Sequence, residues 1–380
     1  MKKSEKKGDI PLLVAVTALA VFGVIAVYSA SHYTAGETYG NPFYYTLKQA
    51  AGLFLGLIGM TIAANVDYHA FFKKGKWAYL ISLVLLALVF VPFLSVEVYG
   101  ARRWINLGFF TIQPSELAKF SFVMFAAEYL AIKPERIGSF RSMAVVLIAG
   151  GAACALIILE PNMSITVCVA AVMMILLFSS GMKMEHLLAV VVPALLAVPV
   201  MIVAEPYRLR RLSAFMDPFA SPKGEGYQLL QSLYGLADGG LFGVGLFNSR
   251  QKYRFLPFAE SDFILSVIGE ELGFFGMAIM LAVTLFIVLR GIRIAAKSRD
   301  LYGFLLALGI ISIYAVQAAV NALVVTGSIP PTGLPLPLVS AGNTSLVIFM
   351  TFFGVLYNVS KGGGKTSENT VNQTPIGGIR

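Results

Sequence analysis

A chain of 380 residues that is 57% hydrophobic and only 13% charged is too apolar for an ordinary soluble domain. Its formal charge of +9 sits in short basic clusters between apolar runs, a membrane-topology pattern that gives nucleic-acid binding little support. The two cysteines, Cys154 and Cys168, both fall inside apolar runs and read as packing residues, so no disulfide framework is implied.

Apolar runs of about twenty residues, enough to cross roughly 30 Å of hydrocarbon, recur along the chain. They predict ten transmembrane helices, near 10–29, 47–65, 77–97, 115–132, 142–159, 163–180, 187–204, 263–289, 301–325 and 344–359. The expected fold is all-α: a single membrane domain over 1–360, then a disordered cytoplasmic tail over 361–380 rich in Gly, Ser, Thr and Asn. The first run is full length and lacks a small-residue cleavage site, so it is expected to stay as the first helix. An even number of spans puts both termini on one side. With that side cytoplasmic, Lys2, Lys3, Lys6, Lys7, Lys73, Lys74, Lys76, Lys133, Arg136, Arg141, Lys183, Arg290, Arg293, Lys297, Arg299, Lys361, Lys365 and Arg380 lie inside. The short outer loops keep only Arg102 and Arg103, the distribution that basic loops resisting translocation produce.

Three outer segments are too polar or too irregular for plain connections. In the first, residues 100–120, Pro114 suits a first helical turn and Glu116 the positive end of the helix dipole. Glu116 and Lys119 can pair on one face, as can Ser115 and Lys119. A lysine this deep must be paired or wet, so the segment reads either as a structural ion pair beside the interfacial Trp104 or as a substrate contact. The second, a large outer loop over 205–262 between helices 7 and 8, holds Arg208, Arg210, Arg211, Lys223, Arg250, Lys252 and Arg254 among glycines and aromatics. Long outer loops escape the positive-inside bias and can be merely solvated, but interleaved aromatics favour binding an anionic diphosphate head group. The third, residues 326–345 between helices 9 and 10, contains Pro330, Pro331, Pro335 and Pro337 and is too apolar for a free loop. It is expected to dip back into the protein, as a plug or as a cavity wall.

Asp262 stands at the mouth of the eighth helix, and a carboxylate beside a hydrophobic span points by default to a substrate or ion path. Glu270 and Glu271 follow on that helix; capping of nearby backbone or pairing with a basic side chain accounts for them. His32, His69 and His186 are the only histidines, and their spacing supports no zinc site.

GARRWI at 100–105, QPSELAK at 113–119, GYQLLQSL at 226–233, DFILSVIGEELG at 262–273 and PTGLPLPLVS at 331–340 closely resemble the SEDS family (shape, elongation, division and sporulation). These are bacterial membrane glycosyltransferases that polymerise peptidoglycan. The match runs through all ten expected helices, and GARRW and GEELG resemble the division and sporulation branch more than the rod-shape branch.

The resemblance implies polymerisation of lipid II at the outer face of the cytoplasmic membrane, with release of undecaprenyl diphosphate. It places the family's essential aspartate at Asp262 and other motif positions at Trp104, Gln113, Glu116, Lys119, Gln317 and Asn321. It also implies a class B penicillin-binding protein, a transpeptidase, docked on helices 8 and 9 against residues such as Met277, Met280, Leu305 and Ile313, with other division or sporulation proteins nearby. Some positions depart from the family. Phe258 and Glu260 stand where Glu and His are usual, Ala341 and Asn343 alter the stretch after Ser340, and Asn162 follows Pro161 where aspartate is frequent. The resulting expectation is Asp262 as general base, with some of Arg208, Arg210, Arg211, Lys252 and Lys119 as diphosphate partners. A Mg or Mn ion between Asp262 and the diphosphate is a variant of it. The rival classes are a lipid-linked precursor flippase and a non-catalytic scaffold for a transpeptidase.

Overall fold

In the computed structural model the described residues are 8–98, 101–106, 111–132, 140–203 and 206–362. The expected disorder of the tail beyond 362, the amino-terminal lysines and the cluster around 133–136 lie outside them. Twelve helices are described: α1 (Ile10–Tyr39), α2 (Tyr44–Asn65), α3 (Gly75–Leu88), α4 (Pro114–Ile132), α5 (Phe140–Leu159), α6 (Met163–Ser179), α7 (Met184–Val203), α8 (Pro206–Met216), α9 (Tyr227–Gly239), α10 (Ile264–Ala296), α11 (Leu301–Val325) and α12 (Asn343–Lys361). Among the described residues, α1, α2, α10, α11 and α12 are long and apolar enough to cross a membrane, and shorter apolar helices accompany them.

Local chemistry sets the helix ends. Asp9 accepts the Leu12 amide at 3.1 Å to start α1, and its carboxylate holds Arg290 of α10 at 2.7 Å. The Asp9 amide donates to Ser360 Oγ at 2.9 Å, so α1, α10 and α12 are joined at one end of the bundle.

Three features depart from the sequence reading. The span expected over 77–97 ends at Leu88, and an antiparallel sheet follows, β1 (Ser95–Val98), β2 (Ala101–Asn106) and β3 (Thr111–Ile112), in the order β1-β2-β3. Pro92 has no amide to give a helix and biases Val91 away from helical dihedrals, while β-branched Val96 sits opposite Trp104. The loop expected over 205–262 contains α8 and α9. The latter is fastened by Ser232 Oγ, 2.6 Å from Ser266 Oγ of α10 and 2.8 Å from the Val325 carbonyl.

The eighth expected span, finally, is interrupted: Gly273 in α10 has φ 66° and ψ −169°, a conformation that only glycine adopts readily. Around the break, Val244 and Gly245 donate to the carbonyls of Glu270 and Glu271 at 3.0 Å, and Phe274 donates to Gly240 at 2.9 Å. A broken helix in an apolar setting survives where protein re-satisfies its backbone in this way.

The proline-rich segment after α11 is irregular and inserted, as its composition predicted. Leu334, Leu336, Leu338 and Val339 are buried, and the Leu338 carbonyl lies against Gly23 in the middle of α1. Four side chains from three helices, α2, α8 and α11, satisfy its carbonyls. Gln317 donates to Pro335 at 3.0 Å, Asn321 to Leu334 at 2.7 Å, Gln49 to Ser340 at 3.0 Å and Arg211 to Pro331 at 3.2 Å.

Candidate active site

Asp262 ends the turn that feeds α10. Asn321 Nδ2 holds its backbone carbonyl at 2.8 Å, and Ser340 Oγ holds the carbonyl of Ser261 at 2.6 Å, so the turn is pinned to α11 and to the proline-rich segment together. The carboxylate meets that segment at Gly333, whose φ is +78°. A Cβ there would sit 3.3 Å from Asp262 Oδ2, so glycine serves both the turn and the close approach. Burial raises Asp262 to about 6, with Glu260 adding to the rise and Arg103 and Arg211 opposing it. Glu260 is itself pushed up by burial. The site is therefore an acid tuned near neutrality that feels the charge of two guanidinium groups, one from β2 and one from α8.

Arg103 was legible only as a topological exception. In the fold it crosses to the turn between α5 and α6, donating through Nε to the Glu160 carbonyl at 3.2 Å and through Nη2 to that of Pro161. The charge at residue 103 thereby bears on the acid at residue 262, a long-range influence with no sequence periodicity behind it. Trp104 follows on β2, half-buried.

The other expected site residues divide. Gln317 and Asn321 lie behind Asp262 and hold the proline-rich segment. Glu116 and Lys119 are buried and paired at 2.8 Å; Lys119 also donates to Gln317 Oε1 at 2.6 Å, and Glu116 accepts from Ser345 Oγ at 2.8 Å. Of the two sequence readings, the geometry is that of the structural ion pair, which braces α4, α11 and α12. Gln113 precedes α4, and its carbonyl accepts the Glu116 amide at 3.1 Å.

Lys252 is buried. Its buried ammonium pairs with Glu271 at 3.1 Å and bonds the Phe247 carbonyl, because the break in α10 folds residues 244–252 onto the two glutamates. Glu270 in turn accepts amides from Arg250 at 2.7 Å and Gln251 at 3.3 Å, the capping role expected for it. Arg210 faces solvent and pairs loosely with Glu225 at 3.7 Å. The side chain of Arg208 lies outside the described residues. Among the described residues, no group of three or more His, Cys, Asp or Glu could hold a metal.

Comparison with known proteins agrees with this architecture. The family model for FtsW, RodA and SpoVE, described as "Cell cycle protein", matches residues 10–363. The chain is 38% identical over 361 residues to "Probable peptidoglycan glycosyltransferase FtsW" of Geobacter sp. (strain M18), covering 95% of this chain and 98% of that one. It is 36% identical over 362 residues to "Stage V sporulation protein E" of Bacillus subtilis (strain 168), covering 95% and 99%. A solved chain from "Structural coordination of polymerization and crosslinking by a peptidoglycan synthase complex" superposes with TM-score 0.78 at 28% identity, over 95% of this chain and 99% of that one. The rod shape determining protein RodA of Thermus thermophilus superposes with TM-score 0.70 at 25% identity, over 94% and 98%. This chain belongs to the FtsW/RodA/SpoVE family of multi-pass membrane proteins.

Proposed function

We propose that the protein is a peptidoglycan glycosyltransferase that polymerises lipid II at the outer membrane face, in division or sporulation. The observation behind this reading is Asp262, held near neutrality under the charge of Arg103 and Arg211 at the lip of the proline-rich segment. A sugar hydroxyl of one substrate attacks the anomeric carbon of the other and passes its proton to Asp262 as the new C–O bond forms. The old bond to the diphosphate breaks with its electron pair, and undecaprenyl diphosphate leaves. A base poised just below ambient pH is both ionised and basic enough to take that proton, and guanidinium groups stabilise charge growing on the departing oxygens. Arg103 and Arg211 fill the role that the sequence spread over five basic residues.

Among the described residues no cluster forms a metal site of its own, and no step above depends on one. A Mg or Mn ion would be shared by Asp262 and the diphosphate, a proposal that chelator sensitivity checks.

The partner is proposed as a class B penicillin-binding protein on α10 and α11, with both termini of this chain cytoplasmic. The docking stripe needs correcting. Met280, Leu305 and Ile313 are buried against this chain's own helices, whereas Phe275, Ile279, Phe286 and Leu289 of α10 are exposed. Crosslinkers at Ile279 and Phe286 are expected to capture the transpeptidase, and capture on α1 or α2 instead would overturn this assignment.

Purified protein supplied with labelled lipid-linked precursor tests the function. Chain growth supports the enzyme; translocation alone would make the protein a flippase, and neither would make it a scaffold.

A further inference from the structure

Six aromatic side chains gather where α1 turns into α2, and the reaction uses none of them. Tyr28 and Tyr39 are close to three whole turns apart, so they share one face of α1. Tyr39 stacks on Tyr44 with ring centres 3.9 Å apart and planes at 15°, and Tyr45 meets the two rings edge-on at 5.8 and 5.3 Å. Tyr28 stacks on Phe43 at 5.3 Å and takes Phe247, from the loop before α10, edge-on at 5.7 Å. Tyr39, Phe43 and Phe247 are nonetheless 48%, 49% and 43% exposed, so each still presents ring surface.

The cluster runs into the site. Gln49, one turn beyond Tyr45 on α2, donates to the Ser340 carbonyl at 3.0 Å and accepts the Gly342 amide at 3.1 Å. Ala341 between them donates to the carbonyl of Glu260 at 2.9 Å, two residues before Asp262. The ordinary use of such rings is an aromatic belt at the lipid boundary, but α1 is too long for that to account for them. Its 30 residues reach about 45 Å, against roughly 30 Å of hydrocarbon, and after Ala30 the helix turns polar in SHYTAGETY. Tyr39 and the turn carrying Phe43 therefore stand beyond the hydrocarbon, where a contiguous patch of bare rings marks a binding surface.

We propose that this cluster is a saccharide shelf, on which sugar rings of the growing glycan strand stack as the strand leaves Asp262. The shelf rests on the proposed polymerisation and adds to it a binding site for the product. A pyranose carries C–H bonds on its faces and hydroxyls around its edge. The C–H bonds are weakly positive and meet the negative face of an aromatic ring, while the phenol hydroxyls offer the edge polar partners. Lys48, whose ammonium lies 2.6 Å from the Tyr44 hydroxyl, adds a further donor. Several weak stacking contacts hold a strand without fixing its register, which suits a polymer that advances by one unit at each transfer.

The test uses full-length protein in nanodiscs and a soluble probe, the β-1,4-linked hexamer of N-acetylglucosamine. Tyr39→Leu, Phe43→Leu and Phe247→Leu combined keep apolar bulk at the boundary but remove the flat faces; the same three positions changed to Trp keep both. Saturation-transfer NMR should show the hexamer bound to the parent and the Trp variant, and about tenfold more weakly bound to the Leu variant. Weaker holding means faster release, so strands made from labelled precursor, compared at equal precursor consumption, should be about threefold or more shorter with Leu and near parent length with Trp. Unchanged hexamer binding or unchanged strand length in the folded Leu variant would overturn the proposal, and so would equal losses in the Leu and Trp variants. If the triple exchange lowers Tm, Phe43→Leu alone, at the exposed turn, carries the same comparison. Hexamer binding is read without catalysis, so the two failures are distinguishable. A parent that binds the hexamer but makes no strands fails the proposed function and keeps the saccharide site, whereas strands of parent length from the Leu variant fail the shelf alone.

Discussion

Asp262 and Asp300 precede consecutive helices, α10 and α11, at opposite ends of the bundle, and their surroundings push them in opposite directions. Asp300 caps α11 by accepting the Gly303 amide at 2.8 Å, takes the Tyr68 hydroxyl, and holds His69 Nε2 at 3.1 Å; these bonds outweigh burial and keep it below the ordinary carboxylate range. His69 moves the other way. Burial alone would lower it, but Asp300 and Asp67 on its two ring nitrogens raise it overall. Asp262 receives no comparable set of donors, and burial lifts it to about 6. A saturated acid locks a helix end, whereas an under-bonded acid under the charge of guanidinium groups stays able to exchange a proton.

The contrast can be broken at several depths. The largest stability loss is expected where a buried pair loses one partner. Lys119→Met strands Glu116 and releases Gln317 from its brace, at a cost of about 3–5 kcal/mol. A lowered Tm in detergent should show it, and a Tm within a degree of the parent would mean the pair braces nothing.

Removing both cations from the outer acid should strike activity instead. Arg103→Ala with Arg211→Ala is expected to lower turnover about 10²–10³-fold, by analogy with deleting donors to a developing anion. Turnover within about threefold of the parent would leave the leaving group without the stabilisation proposed.

Asp300→Asn sharpens the other half of the comparison. The lowered Asp300 contributes stability above its unfolded value of about 3.9, lost as pH falls through the folded value. The raised His69 contributes below about 6.5, lost as pH rises through its folded value. The stability difference between parent and variant, read from thermal melts, should therefore peak near pH 5–6, at about 1–3 kcal/mol, and shrink toward pH 8. A difference independent of pH would contradict the ionic account.

The smallest effect belongs to Arg210→Ala, about 0.5 kcal/mol or less in stability, because the Glu225 pair is solvated. Precursor affinity should also hardly change, and a large fall would restore Arg210 to the substrate contacts.

Much of this site could be read before the fold. Asp262 announced itself as a carboxylate beside an apolar run, the four prolines of 326–345 forbade a helix, and the three-residue spacing of Glu116 and Lys119 anticipated their pair. What escaped depended on distance along the chain. The pairing of Lys252 with Glu271 needs the break at Gly273, and nothing local marks that glycine as other than a helical one. Arg103 matters because β2 carries it to the carbonyls of residues 160 and 161, and that sheet was hidden because Val89 to Val98 is apolar enough to pass for the end of a span. Helices α8 and α9 were obscured by the glycines and charges around them.

The central claim is that Asp262 takes the proton of the attacking hydroxyl. It is tested most directly by polymerisation rates of the parent and of Asp262→Asn between pH 5 and pH 8, with correct insertion of both verified. The parent rate should fall as pH drops through about 6, where Asp262 gains a proton. The variant should be at least about 10²-fold slower and show no such fall. An Asp262→Asn protein that polymerises near the parent rate, or that keeps the same acidic fall, would contradict the account.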